Sequence, residues 1–459
     1  MKNAVDQGPR LVVGHVTSNS ARIWGRGDAD HPVMFLKATG PDGESTEETV
    51  HLSADDGYTG IAQLDSLQPS TKYELEVGYG ASLDAPQRRL ASQGALKTFP
   101  PEGEDRPCTF LLNSCNFHGW GPLRNNREAD LRRAEIAEGV DMVIHAGDQV
   151  YADKAPMSFD LADFRKAYLR TWGQSGTQRV LSQQANYMLA DDHELVNGYA
   201  RDGQLTGMQR LSLWLRGRGG NRGEQYRQLA SNGTRAFDEF QSAHGPKSYG
   251  ENARYYHFSH GKNQFFAMDT RFERHRGDGQ MVSEGQLQAL FQWLNEHRDQ
   301  PKFIITSSPF VLEKKNSEEK WSSPEFSAQR QRIIDFLAEN RMPKVTFLCG
   351  DIHASAHARM DIEAKDGSKI TVHELCASPI NGTLMRSRDQ FLGESQGTTP
   401  GGASYRVELE ENSFLGGSAL DTSNSAVMKV KLEGGRVNYQ IFRTRQGQEA
   451  AVRQGEFQL

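Results

Sequence analysis

The chain has 459 residues, 36% of them apolar and 24% charged, which suits one large domain and a smaller one, each with its own core. Lys and Arg number 53 against 59 Asp and Glu; the net charge of −6 argues against nonspecific attachment to DNA or acidic lipid. It does not argue against a phosphorylated substrate, because a local metal centre outweighs global charge. In chain order, the opening MKNAVDQGPRLVV lacks a charged region followed by an apolar stretch of signal-peptide length, and no span of transmembrane length follows. A soluble, cytoplasmic protein is therefore expected. Cys108, Cys115, Cys349 and Cys376 are scattered, three of them in apolar runs, which excludes a disulfide framework or zinc ribbon while leaving one free to be a ligand.

Residues 1–100 read as all-β. Leu11–Val16, Ser20–Trp24, Val33–Ala38, Glu47–Leu52, Thr59–Leu64, Tyr73–Tyr79 and Leu96–Phe99 are rich in β-branched and aromatic residues and separated by turn formers. Their spacing predicts a small sandwich, with Tyr73, Leu75 and Val77 pointing inward and no cluster of catalytic groups. PEGEDRP, from Pro101 to Pro107, reads as a linker. Beyond it, residues 108–445 alternate strands with helices. Strands are expected at Thr109–Leu112, Met142–Ala146, Asn186–Ala190, Tyr255–Phe258, Gln264–Met268, Phe303–Thr306, Val345–Leu348, Val372–Leu375, Val427–Leu432 and Val437–Phe442. Helical periodicity covers Arg127–Gly139, Asp163–Thr171, the stripe Leu287, Leu290, Phe291 and Leu294, and the stripe Ile333, Phe336 and Leu337. Leu205–Ala243 is mostly helical, interrupted by GRGGNRG. That run lacks the Lys and Ser/Thr of a phosphate loop and suits an insert or rim loop. The sum is an α/β sandwich of mixed sheets; residues 446–459 form a polar tail without periodicity.

Four polar clusters follow apolar strands: Asn113-Ser114-Cys115-Asn116, then Gly147-Asp148 with Tyr151, then Asp191-Asp192-His193-Glu194, then Gly350-Asp351-Ile352-His353. Each has a structural alternative: a core cysteine, carboxylates capping a helix, an interior imidazole. Open α/β sheets gather their sites at the carboxyl ends of strands, which could bring all four to one crevice. Carboxylates, a phenol, a thiol and an imidazole converging there would be poorly solvated without cations. Neighbouring Asp191 and Asp192 cannot both face one ion from an extended segment, so one should be a ligand and the other a supporting group. Asp148 could bridge two cations that share a hydroxide and clamp a phosphoryl group, with His193 donating to a phosphoryl oxygen or protonating the leaving alkoxide. Arg271, after the strand Gln264–Met268, or Arg201 could meet the extra negative charge. His353 and His357 would pair on a metal only if helical.

Taken in order, NSCN, GDQVYAD, DDHE, FFAMDTRFER, FLCGDIH and ENSF, preceded by GHVTSNSARIWGR, resemble the PhoD-type alkaline phosphatase/phosphodiesterase family of calcineurin-like metallophosphatases, over nearly the whole chain. The resemblance implies a four-layer sandwich of two mixed sheets flanked by helices, behind an N-terminal β-sandwich domain. It implies hydrolysis of phosphate monoesters or diesters on small molecules, lipids or polymers. It makes Cys115, Asp148, Tyr151 and His353 the ligands of Fe3+, and Asp148, Asp192 and Asp351 those of a Ca2+-like ion, where other divalent cations fit as well. His193 matches the superfamily's catalytic histidine; Asn116 and Arg271 fall where substrate contacts are expected. The chain departs from the pattern in having Leu189-Ala190 before the third motif in place of a Trp, and no His after Phe303–Ser307.

Overall fold

The computed structural model describes residues 11–84, 89–118, 127–154, 157–382, 385–418, 422–445 and 449–459; residues 1–10 of the predicted sandwich and 446–448 of the predicted tail lie outside them. Seven N-terminal strands form, β1 (Leu11–Val16), β2 (Ala21–Arg26), β3 (Val33–Thr39), β4 (Ser45–His51), β5 (Thr59–Leu64), β6 (Lys72–Gly80) and β7 (Arg89–Lys97); the first six match expectation, whereas β7 starts well before the expected Leu96–Phe99 and shares only Leu96 and Lys97 with it. They pair as a three-stranded sheet, β1-β2-β5, and a four-stranded one, β4-β3-β6-β7. In β6 the side chains of Tyr73, Leu75 and Val77 are buried while Lys72, Glu74 and Glu76 face solvent. That is the alternation a half-covered strand requires. β2 also buries Trp24 on the side away from the sandwich core. Its ring packs edge-on to Trp172, 5.9 Å between centroids, and against Phe240 at 5.5 Å, and its Nε1–H donates to the Glu239 carbonyl at 2.8 Å.

The rest of the chain builds two mixed sheets with helices packed on them. One has the order β10-β9-β8-β19-β20-β21, using β8 (Cys108–Asn113), β9 (Met142–Ala146), β10 (Ala185–Leu189), β19 (Ala426–Glu433), β20 (Arg436–Arg443) and β21 (Arg453–Gln458). The other has the order β11-β12-β13-β14-β16-β15-β18-β17, from β11 (Tyr256–His260), β12 (Asn263–Ala267), β13 (Lys302–Ile305), β14 (Val345–Cys349), β15 (Ala356–Glu363), β16 (Lys369–Cys376), β17 (Glu394–Thr398) and β18 (Ser404–Leu409). Phe110, Ile144 and Met428 of the first sheet share a core with Phe265, Phe303 and Leu348 of the second. Helices α1 (Arg127–Ile136) and α3 (Ser175–Gln183) cover Leu111, Val143 and Val427. Helices α6 (Glu284–Glu296) and α7 (Ser327–Glu339) cover Phe266, Ile304 and Phe347. α2 (Leu161–Trp172), α4 (Gly207–Leu215) and α5 (Arg222–Phe240) pack in a further cluster that reaches Trp24.

Register is what positions the site. β8, β9 and β10 run parallel with Leu112 opposite Ile144 and Ile144 opposite Tyr187. β12, β13, β14 and β16 run parallel through Ala267, Ile305, Leu348 and Leu375. The carboxyl ends of both parallel sets, with the four polar clusters, therefore come out together.

Several elements were not expected from the sequence: α3, the strands β15 and β18, which lie inside their sheet and bury alternate side chains, and the edge strands β17 and β21, the last of which corrects the reading of 446–459 as a tail, with Phe457 opposite Val437. Edge strands expose both faces, as ESQGT does in β17, and so lose the apolar alternation that reveals a strand. Trp24→Ala is expected to cost about 3–5 kcal/mol of unfolding free energy in urea titrations; a loss no larger than that of a surface substitution would show that the N-terminal sandwich does not lean on α2 and α5.

Candidate active site

Cys115, Asp148, Asp351 and His353 adopt positive φ values of 57°, 57°, 69° and 52°. For side chains of this size such a backbone costs on the order of 1–3 kcal/mol each and persists only where surrounding bonds fix it. At Asp148 that fixing comes from Glu194. Its buried carboxylate accepts the backbone N–H groups of Asp148 (3.1 Å), Gln149 (2.6 Å) and Asp191 (2.9 Å) and the side-chain amide of Gln241 (3.1 Å). It ties the β9 and β10 loops to α5, and burial pushes its pKa up to about 7. Gly147 completes the turn at φ 92°, where a Cβ would lie 2.6 Å from that of Asp191.

Asp148 sits at the centre. Its Oδ2 lies 3.4 Å from Cys115 Sγ and accepts from the Tyr151 hydroxyl at 3.2 Å, and that hydroxyl lies 3.4 Å from His353 Nε2. Ser378 Oγ donates to Cys115 Sγ at 3.2 Å and accepts the His353 N–H at 3.1 Å. Burial, then the charge of Asp148, drives the Cys115 thiol and the Tyr151 phenol well above their usual pKa values; burial does the same to Asp148. Three acidic groups held within hydrogen-bond reach and all pressed toward neutrality suit a soft-and-hard donor set for a cation, which would reverse each shift.

The other oxygen, Oδ1, accepts the His193 N–H at 3.3 Å, and ligand atoms of Asp148, Asp192 and His193 lie within 4.8 Å of one another. Asp192 Oδ2 accepts the Gly198 N–H at 2.6 Å. Burial opposes its charge, but His193 and Arg271 outweigh burial and hold it well below the ordinary carboxylate range. His193 is oriented by Asp153, whose Oδ1 is 2.7 Å from Nδ1, and by the Tyr151 ring stacked on it at 4.1 Å. Burial disfavours the imidazolium, yet Asp153, Asp192 and Asp148 together raise its pKa to about 10.

These groups open into a cavity of about 380 Å3 that Asp148, Tyr151, Asp192, His193, Asp351 and His353 line together with the cations Lys154, Lys314, Lys320 and Arg386. Cys115 lies beneath it, fully buried. Asp351 reaches the cavity but its carboxylate is paired with the Lys320 ammonium, whose pKa burial lowers to about 8.

Two expectations need correcting. Arg271 does not line the cavity; it is fully buried, ion-paired with Asp191 and 3.8 Å from carboxylate oxygens of both Asp192 and Glu319. The strand end predicted its neighbourhood but not the inward turn of the side chain. Asp191, which also accepts from Ser307 Oγ at 3.0 Å, is accordingly the supporting member of the Asp191-Asp192 pair. Asn116 is likewise buried below the cavity, its N–H donating to the Asp148 carbonyl at 2.9 Å. Arg201 is exposed and donates to the Phe272 carbonyl at 2.6 Å. His357 lies in β15 with Nε2 3.0 Å from His373 Nδ1, away from His353's partners. A second cluster, Cys108, Asp141 and His260, lies at the start of β8 and β9, where Asp141 already accepts from the Thr109 N–H at 2.9 Å and the Lys97 ammonium at 3.0 Å. Sequence reading passed over Glu194 and Asp153 although both sit inside quoted motifs; Lys320 and Ser378 had no pattern to find them by.

The family described as PhoD-like phosphatase matches residues 110–431. Alkaline phosphatase D of Bacillus subtilis (strain 168) is 24% identical over 381 residues, 72% of this chain; the chain spans 60% of that relative's length. A solved structure of PhoD superposes with a TM-score of 0.72 at 18% identity, covering 98% of this chain and 89% of that one. A purple acid phosphatase from yellow lupin (Lupinus luteus) seeds gives 0.62 at 12% identity, covering 98% and 74%. At these identities the two superpositions speak for the fold.

Arg271→Met is expected to lower unfolding free energy by about 3–5 kcal/mol, because it leaves Asp191 buried with its charge unpaired. Unchanged stability with a raised KM would instead return Arg271 to the substrate.

Proposed function

The chain belongs to the PhoD-like phosphatase family, and from that footing we propose that it hydrolyses phosphate monoesters or diesters with the help of two metal ions. The observation that carries the reading is the position of Asp148 among the other donors: Cys115 Sγ and the Tyr151 hydroxyl lie against its Oδ2, with His353 beyond that hydroxyl, and a carboxylate oxygen of Asp192 lies within 4.8 Å of a carboxylate oxygen of Asp148. The architecture is read as a four-layer metallophosphatase sandwich, α1 and α3 outside one sheet and α6 and α7 outside the other. Thiolate and phenolate favour ferric iron beside Cys115 and Tyr151. Carboxylates suit a hard ion such as calcium beside Asp192, and Asp351 would be a further ligand there if its pairing with Lys320 gave way. When bound, the ions would polarise the phosphoryl group and lower the pKa of a water molecule.

The remaining work falls to protein groups. Asp153 holds His193 by Nδ1, leaving Nε2 to offer its proton to the alkoxide as the P–O bond breaks. Lys154, Lys314 and Arg386, rather than Arg271, supply the positive charge that meets the ester's phosphate. Tyr151 does double duty, its hydroxyl toward Asp148 and its ring fixing the imidazole.

His193→Gln is expected to reduce kcat about 10²–10⁴-fold, with a smaller loss for p-nitrophenyl esters, whose leaving group needs no proton, than for alkyl esters. An equal loss for both would remove His193 from leaving-group protonation. Asp148→Asn should abolish turnover of p-nitrophenyl and bis-p-nitrophenyl phosphate alike; rates equal to the parent's would overturn the catalytic reading. Ferric iron on Tyr151 should colour the as-isolated protein, and Tyr151→Phe should bleach it. Colourless protein carrying stoichiometric zinc would displace the iron assignment.

A further inference from the structure

Helix α4 leaves most of its apolar surface uncovered. Among its large apolar side chains only Leu213 is buried, in the cluster that holds Leu205 and Tyr226. Met208 is 82% exposed, Leu211 54%, Trp214 66% and Leu215 69%. Met208, Leu211 and Leu215 recur at the spacing that puts them on one helical face. The other large apolar residues that reach solvent among the described ones, Leu83 and Tyr249, stand apart from it in the chain. A soluble protein rarely leaves such a cluster without a partner.

The charge around the helix says what the partner is. Arg210, Arg216, Arg218, Arg222 and Arg227 are all exposed, and Glu224 is the single acidic residue from Gln204 to Arg227. Arg216 and Arg218 are satisfied by Asp163 and Asp160. Arg210, Arg222 and Arg227 have no acidic partner among the described residues. A chain of net charge −6 thus carries a local positive patch interleaved with Trp, Leu and Met. Tryptophan beside aliphatic residues and flanking arginines is the composition that settles at the boundary of an anionic bilayer. The position is also informative. Gln209, in the first turn, donates from Nε2 to the carbonyl of Asn197 at 3.5 Å, and Asn197 lines the catalytic cavity and accepts from Lys154 at 3.3 Å.

We propose that α4 and the arginine-bearing loop behind it form a peripheral docking element that seats the rim of the cavity on an anionic phospholipid surface. The helix is held by Leu213 and by its N-terminal capping box at Thr206 and Gln209, so the exposed face is preformed rather than induced. The arginines provide a salt-sensitive attraction, and Trp214 and its aliphatic neighbours provide shallow insertion. Docking does not depend on the phosphohydrolase reading, since it is measured without turnover.

The test uses the full chain with vesicles of phosphatidylcholine, alone or equimolar with phosphatidylglycerol. The protein is expected to sediment with the anionic vesicles at low salt, and to be released by high salt and by pure phosphatidylcholine. Its tryptophan emission should shift to the blue on binding, and Trp214→Phe should lose that shift. M208S/L211S/L215S and R210Q/R222Q/R227Q should each weaken partition at least about tenfold while p-nitrophenyl phosphate turnover is unchanged. The proposal is overturned if the parent stays in the supernatant, or if both variants bind as the parent does. It is equally overturned if the parent ignores vesicles and elutes as a dimer that M208S/L211S/L215S dissolves, which would make the face a contact between two copies. Salt dependence and the Trp214→Phe comparison decide the matter even where a triple variant fails to fold.

Discussion

One carboxylate, Asp148, is shared between two groups of donors, and the surrounding structure depends on keeping it shared. It is buried, and burial pushes its pKa well above the ordinary carboxylate value. The thiol of Cys115 and the phenol of Tyr151 press on the same oxygen and are themselves pushed toward neutrality. Without cations this is a costly arrangement, and bound cations would relieve it. The cost is borne by a lower tier that never meets the cavity. Glu194 gathers the N–H groups of both loops, and Arg271 neutralises Asp191 and helps keep Asp192 ionised. Two buried carboxylates, Glu194 and Asp191, thus serve as scaffolding, while their neighbours in the chain, His193 and Asp192, face the cavity.

The strands that carry the site were legible because they are buried on both faces. β8, β9, β10 and β14 read as short apolar runs, and each leads into one of the four polar clusters. The alternation of side chains along an extended segment was enough to say that only one of Asp191 and Asp192 faces an ion. It was not enough to say where Arg271 and Asn116 point, because both lie past the strand, in loops whose direction is set by tertiary bonds. The cavity's cations were hidden for a related reason: Lys154, Lys314, Lys320 and Arg386 come from separate loops with no periodicity and meet only in the fold. The polar outer strands β17 and β21 escaped because an edge needs no apolar alternation.

The division of labour between the two faces of the insert from Leu205 to Ala243 follows the same logic. α5 turns Tyr226, Leu229, Phe237 and Phe240 inward and helps fix Glu194 through Gln241. α4 has one inward anchor and presents the rest. A segment that is rigid at its base and uncovered at its rim, tied to the cavity through Asn197, stands apart from the groups that react.

The sharing of Asp148 is tested most directly by anomalous diffraction across the iron edge, from crystals of the protein as isolated. The account predicts iron between Cys115, Tyr151 and His353, and a second ion without iron signal on the Asp192 side, with one oxygen of Asp148 on each. A single ion, or ions confined to Cys108, Asp141 and His260 with nothing beside Asp148, would contradict it.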